Sequence, residues 1–206
     1  MRILIAVPTF ENIYPDTFRS IWNLVRPAYI EADFDFVRGY DCARARSNIA
    51  KEAIEGGYDY VLMVDNDTVL PKDALINLLE GGEDVVVGYY AHRTGDNVFD
   101  GRTNMCKLGE YNYTNQYKGS ELKDLLKQGQ TRVQIHGGGL GCALIKVGLF
   151  NRLEYPYFNW VNYESGYVLS EDLYFAERCK DANVPMWCDT RVECGHIFRH
   201  VQYTTE

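Results

Sequence analysis

Two carboxylates one residue apart, Asp65-Asn66-Asp67, follow directly on the apolar run Val61-Leu62-Met63-Val64. Carboxylates so placed, where a strand gives way to a loop, can both reach one hard cation. Mg²⁺ or Mn²⁺ is typically held by a few carboxylates and completed by substrate phosphates. The same spacing also makes a solvated turn or an Asx turn ahead of Pro71. Asp33-Phe34-Asp35 repeats it in a setting that reads as a half-buried strand with its aspartates toward solvent. A second acidic pair, Glu171-Asp172, follows Ser170 at the start of a helical pattern. The helix macrodipole favours acidic residues there in any protein, and a carboxylate fixed at such a place can also take the proton of an attacking hydroxyl. His196, in Cys194-Gly195-His196, reads as a packed or surface histidine or as a metal ligand. Cys188, Cys194, His196 and His200 permit a zinc reading, but no pair has the CxxC spacing that zinc sites favour. Gly137-Gly138-Gly139-Leu140-Gly141 is either a tight hairpin or a place where bare backbone meets a ligand. It matches neither the phosphate-loop nor the dinucleotide fingerprint, so ATP hydrolysis and nicotinamide binding lose support.

The elements around these residues are legible from their periodicity. Residues 2–7 form an aliphatic run ended by Pro8, which reads as a buried strand opening into Pro8-Thr9-Phe10-Glu11-Asn12. Helical spacing is predicted over 18–25 and 42–55, the second closed by Gly56-Gly57, with an extended segment at 32–37 between them. A strand over 58–64, a helix from Pro71 to Gly81-Gly82 and a strand over 84–89 continue the alternation. Such alternation predicts an α/β fold, a mostly parallel central sheet flanked by helices, with ligands off the carboxyl ends of the strands. From 91 to 130 the periodicity fades apart from a short helix at 120–127. Strands at 132–136 and 142–147 then flank the glycine cluster, a short helix follows at 147–152, and 170–182 forms a helix stopped by Asn183 and Pro185.

Composition bounds the function class. A chain of 206 residues with 46% hydrophobic and 24% charged residues is expected to form a single domain around one core, which excludes disordered and collagen-like classes. Lys and Arg number 21 against 29 Asp and Glu, a net charge of -8, which argues against general nucleic-acid binding because that draws on phosphate neutralisation by cations. The six cysteines are scattered, so reduced thiols and a cytoplasmic location are expected. No apolar stretch approaches the roughly 20 residues of a membrane helix, so no transmembrane segment is expected. The 16 tyrosines suit stacking on planar or sugar-like ligands as well as half-buried packing.

Taken in order, these features resemble the GT-A fold glycosyltransferases, in particular the family 2-like group. The resemblance rests on the Asp-x-Asp after an apolar strand (Asp65 to Asp67), the glycine-rich segment leading into a strand (Gly137 to Ile145), the Glu-Asp opening a helix (Glu171-Asp172) and the late His196. The first strand and loop, and the helix start Ala43-Arg44-Ala45-Arg46-Ser47-Asn48, extend it over most of the chain. It implies a nucleotide-diphosphate sugar donor, with UDP favoured, and a glycan or other hydroxyl acceptor. A Mn²⁺ or Mg²⁺ ion would lie between Asp67, His196 and the diphosphate, with Asp65 in the ribose, sugar or metal shell and Asn66 beside it. Asp172, with Glu171 next to it, would be the catalytic carboxylate of an inverting transfer. Pro8, Thr9 and Glu11 would lie near base and ribose, Arg46 near base or diphosphate, and Gly138 and Gly139 beside donor sugar or acceptor. Residues 1–90 would form the donor-binding half and 91–206 the acceptor-side and catalytic half, with 91–130 and the aromatic stretch 155–167 as candidates for acceptor contact. The chain departs from the family after the second strand, where Val37-Arg38-Gly39-Tyr40-Asp41 stands in place of an acidic cluster and Asp41 inherits the base-contacting role. Two other readings remain. One is a nucleotidyltransferase, for which the first loop lacks the glycine- and arginine-rich phosphate loop; the other is a non-catalytic carbohydrate-binding protein.

Overall fold

The computed structural model describes residues 1–92, 101–109 and 115–197. In its first half β1 (Arg2–Thr9), α1 (Pro15–Trp22), β2 (Glu31–Arg38), α2 (Cys42–Glu55), β3 (Tyr60–Val64), β4 (Thr68–Val69), α3 (Ala74–Leu79) and β5 (Val85–Tyr89) follow one another. The second half holds β6 (Arg102–Cys106), β7 (Gln116–Lys118), α4 (Gly119–Lys127), β8 (Arg132–Ile135), β9 (Gly137–Gly138), β10 (Cys142–Lys146) and a 3₁₀ turn at Val147–Arg152. It closes with β11 (Val161–Asn162), β12 (Val168–Leu169), α5 (Glu171–Asp181), β13 (Met186–Glu193) and β14 (Gly195–His196).

Seven strands form the central sheet in the order β2-β1-β3-β10-β5-β13-β8. β10 runs antiparallel to both its neighbours and β8 antiparallel to β13, so the other five strands point one way. Strand periodicity divides the core between the two faces. Leu4, Ala6, Val61 and Met63 pack with Ala50 and Ala53 of α2 and with Phe175 and Ala176 of α5. Ile3, Ile5, Leu62 and Val64 pack with Ile21 of α1 and Leu75 and Leu78 of α3. With both faces covered, β3, β5 and the middle of β1 can be apolar on both sides, which is why they read as uninterrupted runs.

Differences from the predicted elements have local causes. The first helix starts at Pro15 and ends at Trp22, ahead of its predicted span, because proline with its fixed φ opens it. Pro71 begins a turn, closed by the Ala74 N–H donating to the Pro71 carbonyl, and the helix starts at Ala74. In the stretch of faded periodicity, β6 is buried on both sides and carries the polar Thr103 and Asn104 inward, so neither alternation nor an apolar run marks it. Parts of that stretch, 93–100 and 110–114, lie outside the described residues, as does His200.

Asp41 sits at the N-cap of α2, its Oδ1 accepting the Arg44 N–H at 3.1 Å. Asp41→Ala is expected to lower stability by about 1 kcal/mol, with Asp41→Asn nearly neutral. Urea unfolding checks this, and an unchanged midpoint for the alanine variant would remove the capping role.

Candidate active site

The carboxyl ends of β1, β2, β3 and β5 gather most of the residues singled out above. Asp65 leaves β3 with its N–H donating to the Gly141 carbonyl at 3.0 Å. Its Oδ1 accepts from Arg46 Nη2 at 2.8 Å, and Arg46 Nε lies 3.5 Å from Glu171 Oε1. The Arg46 side chain is only 2% exposed. Burial works against its charge, but Asp65 and Glu171 outweigh that and keep the guanidinium protonated. Burial raises the Asp65 carboxyl above its ordinary range in spite of the Arg46 charge. Arg46 thus lies under the site as an ionic tie between α2, β3 and α5, and Glu171 is turned inward with it, also accepting from the Cys42 thiol.

Asp67 and His196, far apart in sequence, meet because β14 pairs with β4 and sets His196 opposite Thr68. His196 Nδ1 lies 2.8 Å from the Ala91 carbonyl oxygen, which can only accept, so Nδ1 carries the proton. Nε2 faces Asp67 Oδ2 at 3.5 Å. In the neutral ring both of those atoms offer lone pairs, an arrangement suited to a shared cation, with the Ala91 carbonyl orienting the imidazole from behind. The donor set, one carboxylate and one imidazole, fits Mn²⁺ or Mg²⁺ completed by water and phosphate oxygens. The fuller set of Asp65, Asp67 and His196 is not gathered: among the described residues no three His, Cys, Asp or Glu side chains converge, and Asp65 Oδ1 is taken by Arg46. Cys188 and Cys194 lie in the cores on opposite faces of the sheet, which separates them as zinc ligands.

Asp172 opens α5 at the wall of a cleft of about 260 Å³ that also takes in Tyr90, Asn104, Gly138, Gly139 and His196. Its Oδ1 accepts from Ser170 Oγ and, at 2.8 Å, from the Leu173 N–H. Burial, then the neighbouring Glu171 charge, push its carboxyl up to about 6. The acidic pair is therefore divided, Glu171 to the interior and Asp172 to the cleft. A Cβ on Gly139 would come within 2.3 Å of Tyr90 Oη, and one on Gly141 within 2.8 Å of Asp65 Oδ2. The glycine cluster is needed first for the protein's own close packing, around a tyrosine that residue patterns did not single out.

At the far end, Pro8 and Thr9 are buried and Glu11 is exposed. Thr9 Oγ1 and Asn66 Nδ2 both donate to the Asn12 carbonyl, at 2.6 and 2.8 Å, and the Tyr14 N–H donates to the Asn66 carbonyl. Asn66 thus ties the first loop to the Asp-x-Asp turn. Sequence reading missed Tyr90 and Asn104. Tyr90 Oη accepts from the Gly141 N–H, and its ring meets His196 edge-on at 4.9 Å. Asn104 accepts from the Tyr90 N–H and donates to the Gly139 carbonyl. Tyr90 could have been found by its place just past the carboxyl end of β5, whereas Asn104 had no such signal.

No protein-family model matches the chain, and no curated protein matches it in sequence. Among solved structures, A197 from STIV is similar to it over 97% of this chain and 87% of that one, with a TM-score of 0.63 at 17% identity. GalNAc-T7, solved with UDP, GalNAc and Mn²⁺, is similar over 96% of this chain, with a TM-score of 0.62 at 11% identity. The fold is GT-A-like. The present chain spans 44% of GalNAc-T7, and at these identities the likeness is one of backbone. Within this GT-A-like domain, no helix among the described residues is long and apolar enough to cross a membrane.

The ionic tie carries its own prediction. Arg46→Met leaves the buried Glu171 and the partly buried Asp65 without their cation, which is expected to cost about 3 kcal/mol at about pH 7. The loss should shrink toward about pH 4, because the Asp65 carboxyl, raised by burial, destabilises only when ionised. Denaturant unfolding at the two pH values checks this, and equal losses would assign the effect to packing.

Proposed function

We propose that this chain is a metal-dependent glycosyltransferase, moving a sugar from a nucleotide-diphosphate donor, UDP-sugar in preference, to an acceptor hydroxyl. The observation that carries the reading is the single cleft shared by His196 and Asp172, with Asp67 against His196 on the donor side. The GT-A-like fold, and a structural neighbour solved with UDP, GalNAc and Mn²⁺, support it.

Asp67 and His196 would hold a Mn²⁺ or Mg²⁺ ion, whose positive charge would stabilise the departing diphosphate. Asp172 acts as general base: it accepts the proton of the acceptor hydroxyl as the acceptor oxygen bonds to the anomeric carbon and the bond from that carbon to the diphosphate breaks. The Ser170 hydroxyl and the Leu173 N–H fix the carboxylate in place. Asp172 is the sole Asp or Glu among the described residues that line this cleft, and one base without a second, nucleophilic carboxylate suits single displacement with inversion. Pro8, Thr9, Glu11 and Asp41 take the base and ribose end, with Asp65 and Asn66 next to the ribose and sugar. Arg46 acts on the donor through Asp65.

Wild-type protein with UDP-sugars and Mn²⁺ is expected to release UDP, and Asp67→Asn to release it much more slowly; equal rates would sink the reading. Asp172→Asn should bind UDP normally in calorimetry yet lose transfer by about 10²–10⁴-fold. Because the base works only when ionised, transfer should fall as pH drops through about 6. A flat profile from about pH 5 to 8 would remove Asp172 as the base. His196→Ala should weaken UDP binding in the presence of Mn²⁺ and leave metal-free binding unchanged.

A further inference from the structure

Leu173, at the edge of the cleft of Asp172, also lines a second concavity, of about 310 Å³, together with Tyr163, Tyr167, His136 and Glu177. His136 in turn lines a third, of about 590 Å³, which reaches past Ala176 and Lys180 to Trp187. The α5 residues along this series, Asp172, Leu173, Ala176, Glu177 and Lys180, recur at the spacing of one helical face. From Asp172 to Lys180 the helix rises about 12 Å, more than one pyranose ring occupies.

We propose that these three concavities form one acceptor groove, and that the acceptor is a glycan chain of several sugar units, its reactive hydroxyl at Asp172 and its body laid along α5. This rests on the transferase reading above. The chemistry of the middle concavity identifies the ligand class. Tyr163 and Tyr167 stand on the short β11–β12 hairpin, held by the Tyr163 N–H donating to the Tyr167 carbonyl. Their rings lie 5.7 Å apart, inclined by 32°, and the two residues are 49% and 40% exposed. Exposed rings with polar tips are suited to the C–H faces and hydroxyl rims of sugars. In the same concavity His136 Nε2 and Glu177 Oε1 lie 2.9 Å apart, a polar pair able to bond ring hydroxyls. A lipid chain would meet this pair where it needs apolar wall, and a polyanion would meet the Glu177 carboxylate beside the rings.

The test uses an array of glycans from mono- to hexasaccharides, probed with the full chain in the presence of UDP and Mn²⁺, with the best-binding series then titrated by length. Affinity is expected to rise from mono- to trisaccharide and then level off. The Tyr163→Ala/Tyr167→Ala double variant should weaken trisaccharide binding by about tenfold or more while leaving monosaccharide and UDP titrations unchanged. If the double variant does not fold, Tyr163→Ala and Glu177→Gln singly should each reduce the length-dependent gain. No glycan bound, affinity independent of length, or length dependence indifferent to these substitutions would each overturn the groove. UDP binding and release report separately on the transferase. Length-dependent glycan binding without them would keep the groove and remove the reaction, and the reverse pattern would do the opposite.

Discussion

A guanidinium at 2% exposure has to be answered by charge, and the way Arg46 is answered organises the site. Its two carboxylate partners come from the carboxyl end of β3 and the first turn of α5, elements brought together by the sheet order and not by the chain order. Once Asp65 and Glu171 are engaged, Asp67 and Asp172 have other partners. Asp67 is directed to β14, and Asp172 to the cleft. Each acidic motif is thus a pair with one member bound to Arg46 and the other turned away from it. A buried ion pair is weak evidence of stability, but here it supplies register between three elements.

Much of this was legible in the sequence. The apolar runs of β1, β3 and β5, the Gly56-Gly57 stop and the helix after Ser170 gave the alternation, and with it the strand ends at which the candidate site residues gather. The candidate motifs were legible only as residue types in order, each with an ordinary structural reading of its own. The orientation of each side chain was not. Nothing in Glu171-Asp172 says which member faces inward; that depends on Arg46, more than a hundred residues earlier. The zone after β5 was illegible for a different reason. β6 is enclosed on both sides and uses Thr103 and Asn104 to satisfy neighbouring groups, so only Met105 and Cys106 mark its burial.

The glycine cluster shows how a correct inference can have an unexpected object. Small residues at 138, 139 and 141 indicate close approach of backbone to something, and the close neighbours are Met105, Asn104, Tyr90 and Asp65 of the same chain. Packing there is what shapes the cleft wall. Tyr90, wedged between Gly139, Gly141 and His196, fixes the distance between the metal-binding and acid–base ends of the proposed site.

The raised carboxyl of Asp172 has a meaning for the folded state as well. A group harder to ionise in the native protein than in the unfolded chain favours folding fully at pH below its unfolded value, and that contribution disappears as pH climbs through about 6. The acidity at which this residue best supports the fold is therefore the acidity at which it cannot serve as a base. In the pH range where the proposed reaction runs, the domain carries Asp172 as a standing strain on its own thermal endurance, offset by the packing of α5 against the sheet.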